Sequence, residues 1–148
     1  LKGDIDMVKK HVKYKDYNGN EREEDFYFNL NKAEAAEMSL STEGGYEEKI
    51  KSIIASQDGA EIITHFKELI VKSYGVKSLD GKYFEKTEEA TRKFISTEAY
   101  SQIFMELATD ATKAAEFVNG IMDFADKSKK AEAGNTIENN TSGLALVK

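Results

Sequence analysis

The stretch EDFYFNLNKAE, Glu24 to Glu34, changes its period partway through and so marks a junction between two kinds of structure. Phe26, Phe28 and Leu30 alternate, as along one face of a strand, whose side chains repeat every ~2 residues. From Asn31 the residues are helix formers. Asn31 is placed to cap a helix and Glu34 to return the bond, as in a capping box. Upstream, Val8, Val12 and Tyr14 share one face of a first strand, with Lys10 as the exception, while Lys9, His11, Lys13 and Lys15 take the other. Between the strands lies DYNGN, a hairpin turn signal. A loop of Asn18-Gly19 alone would set Val12 against Asp25 and mix the faces, so the expected loop is Asn18-Gly19-Asn20, with a bulge. That register sets Val12 opposite Phe26, Val8 opposite Leu30, Lys13 opposite Asp25 and Lys15 opposite Glu23.

The rest of the chain reads as helix. The first helix is expected over Lys32 to Leu40, before Gly44-Gly45 breaks the chain. Tyr46, Ile50, Ile53 and Ile54 follow at helical spacing to Gln57. Asp58 with Glu61 repeats the capping-box signature, ahead of Ile62, Ile63, Phe66, Leu69, Ile70 and Tyr74 on one face. Gly75 is the expected stop of that helix, and Asp80-Gly81 a turn or small hairpin. Thr87 caps a short helix through Phe94 and Ile95. Ser96 or Thr97 opens another, with Tyr100, Ile103, Phe104 and Leu107 facing inward. Thr109 or Asp110 opens the last, to about Asp126.

The predicted class is α+β and mostly α: an N-terminal β-hairpin over 7–30 packed on about five or six short helices over 31–126. One domain is expected over 7–128, residues 1–6 read as upstream or introduced sequence, and 129–148 as a flexible tail. At 148 residues the chain matches the common domain size of ~100–150. It contains no proline, where average usage of ~5% predicts about seven, so turns fall to Gly, Asn, Asp and helix caps.

Composition narrows the function. No cysteine is present, which removes disulfides, thiolate metal sites and cysteine nucleophiles. A net charge of −6 argues against a nucleic-acid footprint, and no apolar run approaches the ~20 residues of a membrane span. Of the two histidines, His11 sits on the charged strand face and His65 on the flank of the third helix. Neither has a partner at metal spacing, and both read as surface residues. The acidic runs Glu23-Glu24-Asp25, Glu47-Glu48 and Glu88-Glu89 read as solvated faces or helix-start charges. DYNGN lacks the later ligands of a calcium loop. Neither Gly19 nor Gly44-Gly45 fits a phosphate loop. No catalytic constellation, cofactor site or metal site is expected.

Surfaces are more informative. The last helix carries Ala114, Phe117, Val118, Ile121, Met122, Phe124 and Ala125 within about half its circumference. That face either closes the core or lends part of itself, near Phe117 and Phe124, to a partner helix. Tyr27 on the outer hairpin face, and Tyr83 and Phe84 near the Asp80-Gly81 turn, are the other candidate partner-binding residues. The hairpin edges need cover, either from the helices or from another subunit.

Three strings, taken in order, resemble the tail assembly chaperones of long-tailed bacteriophages of Gram-positive hosts: KYKDYNGNEREEDFYFNLNKAEAAEMSLSTEGG, IASQDGAEIITHFKELIVKSYGVKSLDGKYF and STEAYSQIFMELATDATKAAEFVNGI. The resemblance runs from about Met7 to Ile121 and lies in order and spacing rather than in one motif. It implies a non-enzymatic protein encoded beside the tape measure protein, a long helical and hydrophobic chain. Such a protein coats the tape measure protein, keeps it soluble, helps recruit the tail-tube protein, and leaves before the tail matures. It implies action in the host cytoplasm and absence from the mature virion. Many relatives also make a longer product by frameshifting, and Lys129-Lys130 is compatible with a slippery codon run. The family offers no catalytic or cofactor residues to carry over. The competing reading is a structural tail or connector protein of the virion. Self-association along a coated chain fits the first reading, with the hairpin edge as the joint.

Overall fold

A computed structural model describes residues 7–122 together with the backbone of two short strands, Ser142–Gly143 and Ala145–Leu146. The chain opens with β1 (Val8–Lys15) and β2 (Glu21–Phe28), paired antiparallel. The inner face buries Val12, Tyr14, Phe26 and Phe28, as the alternation predicts. The register differs from expectation: Val8 pairs with Phe28, Val12 with Glu24, Lys13 with Glu23 and Lys15 with Glu21.

Glycine geometry explains the shift. The loop is Tyr17-Asn18-Gly19, closed by the Asp16 N–H donating to Asn20 O at 2.9 Å and the Gly19 N–H donating to Asp16 O at 2.9 Å. Its last residue needs a left-handed conformation, and Gly19 supplies it at φ +86°. The expected loop would have placed Asn20 there instead. Because the displacement is two residues in pairing, each side chain keeps its face. Tyr14 thus lies near Glu24 and donates its hydroxyl to the carboxylate at 2.8 Å. Lys10, the odd residue on the inner face, reaches Glu106 at 2.8 Å.

Asp16 anchors this turn. Its Oδ1 accepts the Asn18 and Asn20 N–H groups at 2.9 Å each, and its Oδ2 accepts from Arg22 Nε at 2.8 Å. The Arg22 bond, then the backbone donors, lower its pKa from the ordinary 3.8 to about 2. A folded-state pKa below the unfolded value means this contribution is complete above about pH 3.8. It disappears as pH falls toward about 2. In an acid titration followed by NMR, the Asp16 carboxyl should therefore titrate near 2, and a midpoint at the ordinary 3.8 would contradict the assignment.

β2 passes into α1 (Lys32–Leu40) through the expected capping box: Glu34 N–H donates to Asn31 Oδ1 at 2.8 Å and Asn31 N–H to Glu34 Oε1 at 2.9 Å. Gly45, at φ +91°, leads into α2 (Tyr46–Ser56). Asp58 caps α3 (Gly59–Ser73). Along α3 the buried stripe is Phe66, Leu69, Ile70 and Ser73. Ile63, expected inside, is 49% exposed, because it lies at the margin of that stripe in the first turns. The Ser73 hydroxyl, fully buried, is satisfied by Leu69 O at 2.6 Å.

Gly75 does not stop a helix in the left-handed conformation. Instead, α3 passes directly into β3 (Tyr74–Lys77), which pairs antiparallel with the end of β2, Tyr27 to Gly75 and Phe28 to Tyr74. β4 (Phe84–Glu85) completes a sheet of order β1-β2-β3-β4 among the described residues. A Cβ at Gly75 would sit 2.7 Å from the Phe84 ring, so glycine is required here for close approach. Gly75→Ala should destabilise by about 1–3 kcal/mol in chemical denaturation as the ring is displaced. A neutral effect would place that ring elsewhere.

Thr87, Thr97 and Asp110 cap α4 (Glu88–Ile95), α5 (Glu98–Thr109) and α6 (Ala111–Met122), each through a side-chain oxygen at 3.1 Å from a backbone N–H. The helices cover the inner sheet face. Phe94 lies 5.2 Å from Phe26 and 4.2 Å, stacked, from Tyr74, and Phe117 lies 5.4 Å from Phe28, ring centroid to centroid. The Leu30 N–H donates to Ile121 O at 2.9 Å, tying the end of the hairpin to α6. The expected continuation of α6 to Asp126, residues 1–6, and most of the tail over 129–148 lie outside the described residues. Ser142–Gly143 (β5) and Ala145–Leu146 (β6) pair with each other.

Candidate interaction surfaces

The helices hide one face of the sheet, which leaves the other face, its turns and its edges open to contact. The β3–β4 hairpin is held by its own turn. Gly81 adopts φ +79°, and Asp80 Oδ1 accepts from Ser78 Oγ at 2.8 Å and from the Lys82 N–H at 3.0 Å. These bonds, the Lys82 N–H first, hold the Asp80 carboxyl below its ordinary range. A turn fixed by its polar atoms leaves its apolar side chains in water. Leu79 is fully exposed, Tyr83 is 55% exposed and Val76 45%.

The expected partner residues separate into three groups. Tyr27 and Phe84 come together on the outer face: Tyr27 pairs with Gly75, and the Phe84 ring lies over that same glycine. Lysines ring the patch, with Lys77 Nζ 5.3 Å from the Tyr27 ring centroid, Lys82 Nζ 5.4 Å from Tyr83 and Lys86 Nζ 5.8 Å from Phe84. Such cations contribute modestly at exposed rings, about 0.5–1 kcal/mol. Tyr83 joins Leu79 in the turn, whereas Val76 lies within β3 opposite Glu85, on the face away from Gly75. Phe117, by contrast, is 2% exposed and belongs to the core, which corrects its reading as a partner-facing residue. As far as Met122 the apolar face of α6 is used internally, since Ala114, Phe117, Val118, Ile121 and Met122 are all buried. Phe124 lies outside the described residues.

Leu79 and Leu40, the latter 88% exposed at the end of α1, are not among the residues expected to face a partner. Leu79 had a signal: an apolar residue directly before Asp-Gly has no strand face to occupy.

The larger groove, about 490 Å³, is lined by Leu30, Glu34, Glu37, Met38, Ser41 and Lys72. Of its carboxylates, Glu34 is already engaged by Asn31 and by Lys86 Nζ at 2.7 Å. His11 is exposed and bridges the strands, its ring nitrogens 2.5 Å from Asp25 and from Glu23. Those hydrogen bonds, to Asp25 first and then Glu23, raise its pKa. His65 departs from a simple surface residue: its Nδ1 is buried without a partner in the structure, as is the Tyr46 hydroxyl. Burial, followed by Glu68, pushes Tyr46 up to about 12. Among the described residues, no group of three or more His, Cys, Asp or Glu side chains is arranged to hold a metal, and no helix is long and apolar enough to cross a membrane.

The arrangement defines a small α+β protein whose distinctive surface is an exposed apolar and aromatic hairpin on a helix-backed sheet. The chain matches the phage tail assembly chaperone family over residues 7–144 and belongs to it. Searches of curated proteins and of solved structures gave no match.

Proposed function

We propose that this chaperone binds the tape measure protein, keeps it soluble in the host cytoplasm, helps recruit the tail-tube protein, and leaves before the virion is complete. Supporting this reading is the β3–β4 hairpin, whose Leu79 and Tyr83 stay in water next to the Tyr27–Phe84 patch in a member of a tail assembly family. A long apolar helix needs many weak, similar grips along its length, which together bind far more tightly than each alone. A rigid turn carrying a few apolar side chains is suited to that task. Lys77 and Lys82 beside it can meet acidic residues flanking an apolar stripe, while Lys86 is held by Glu34 and Asn29 O. Several copies would then line one tape measure chain.

Co-expression with the tape measure protein tests the reading. Soluble tape measure protein, co-purifying with several copies of the chaperone, is the expected result. Insoluble and unbound tape measure protein would reject it.

A further inference from the structure

The free edge of β1 has a chemistry that selects its partner. The bond from the Asp16 N–H to Asn20 O sets the alternation of the ladder. Val8, Lys10, Val12 and Tyr14 therefore direct their backbone groups toward β2, while those of Lys9, His11, Lys13 and Lys15 point away from it. Among the described residues no strand pairs with that outer edge, and β1 is terminal in the sheet. A strand added there would extend the sheet without displacing β2, β3 or β4.

The same four residues project their side chains from the outer face, giving three lysines and a histidine in one row on a chain of net charge −6. Antiparallel pairing of β1 with β1 of a second copy would set His11 against Lys13 and Lys9 against Lys15. Like charges directly opposite destabilise a sheet, so the lysine row guards this edge against self-pairing. A strand with carboxylates at alternate positions meets the opposite situation. β2 already shows the match on the other side of β1, with Glu21 opposite Lys15, Glu23 opposite Lys13 and Asp25 opposite His11. The His11 contacts to Asp25 and Glu23 are the same pairing seen at atomic distance.

We propose that the outer edge of β1 accepts, by strand addition, an extended segment of a partner polypeptide bearing Glu or Asp at every second position. Main-chain hydrogen bonds from Lys9, His11, Lys13 and Lys15 supply the grip, and the basic row supplies selection. This deepens the reading of the chain as a binder of tail polypeptides, and replaces the hairpin edge as a joint between copies with a joint to an acidic partner.

The test uses the full chain, isotope-labelled, and two synthetic peptides of the length of β1, one alternating Glu with Thr and one alternating Lys with Thr. The Glu peptide should produce saturable amide shifts centred on Val8–Lys15, weakening severalfold as salt rises. The Lys peptide should produce none. Lys13→Pro removes one outward N–H and none directed at β2, a substitution that edge strands tolerate, and it should weaken the Glu peptide by about tenfold. K9E/K13E should reverse the preference, binding the Lys peptide, a gain that unfolding cannot mimic. Absence of Glu-peptide shifts at about 5 mM, shifts located on the β3–β4 hairpin instead, or equal binding of both peptides would overturn the proposal. None of these results depends on whether the tape measure protein is solubilised, so the two readings fail separately.

Discussion

Phe28→Ala should cost about 3–5 kcal/mol, a large part of the stability of a chain this size. Phe28 is fully buried and its ring lies within 6 Å, centroid to centroid, of Tyr74, Phe94 and Phe117. Truncation therefore removes a side chain that contacts β3, α4 and α6 at once. In thermal unfolding followed by circular dichroism, the midpoint should fall by about 10–20 °C. A loss of under about 1 kcal/mol would mean that the hairpin is not packed on the helices as described. Phe117→Ala should behave similarly. Loss of partner binding in that variant would report unfolding rather than a lost contact.

The second large effect is on function without stability. Leu79→Ser with Tyr83→Ser removes two exposed side chains that make no core contact. The unfolding midpoint should stay within about 0.5 kcal/mol of the parent. Recovery of soluble tape measure protein on co-expression should fall by about tenfold, as expected when central apolar anchors of an interface are lost. Full recovery with both serines in place would remove the hairpin tip from the contact surface.

How much of this was visible in the sequence depends on how local each feature is. The capping residues Asn31, Asp58, Thr87, Thr97 and Asp110 act within four residues, and they mark their helices in the sequence as they do in the structure. The first hairpin was legible as well, except that Gly19 fixes its register. Only the last loop position calls for its left-handed backbone. β3 was hidden because Tyr74 fits the helical spacing of α3 and Gly75 resembles a helix stop. What converts them into strand is a distant partner, the end of β2, together with the bond from the Asn29 N–H to Ser73 O at 2.8 Å. Pairing over such a sequence separation leaves no local pattern.

The contact surface was half legible. Tyr27, Tyr83 and Phe84 were identifiable as aromatic residues without an obvious core face. The meeting of Tyr27 and Phe84 at Gly75 required the sheet. Phe117 misled because a half-apolar helix looks wider than one contact needs. α6, however, packs against α5 and against β1 and the end of the hairpin, and these contacts bury its apolar residues from Ala114 to Met122. Gly120 shows how close that approach is: a Cβ there would lie 2.5 Å from Val8 Cγ2.

The most direct measurement is the number of chaperone copies that co-purify with soluble tape measure protein after co-expression, by light scattering with the Leu79→Ser/Tyr83→Ser variant alongside. A soluble complex with several copies per tape measure chain is expected for the parent, and precipitated tape measure protein for the variant. A parent chain that leaves the tape measure protein insoluble, yet is found at fixed stoichiometry in purified virions, would contradict it and identify a structural tail component instead.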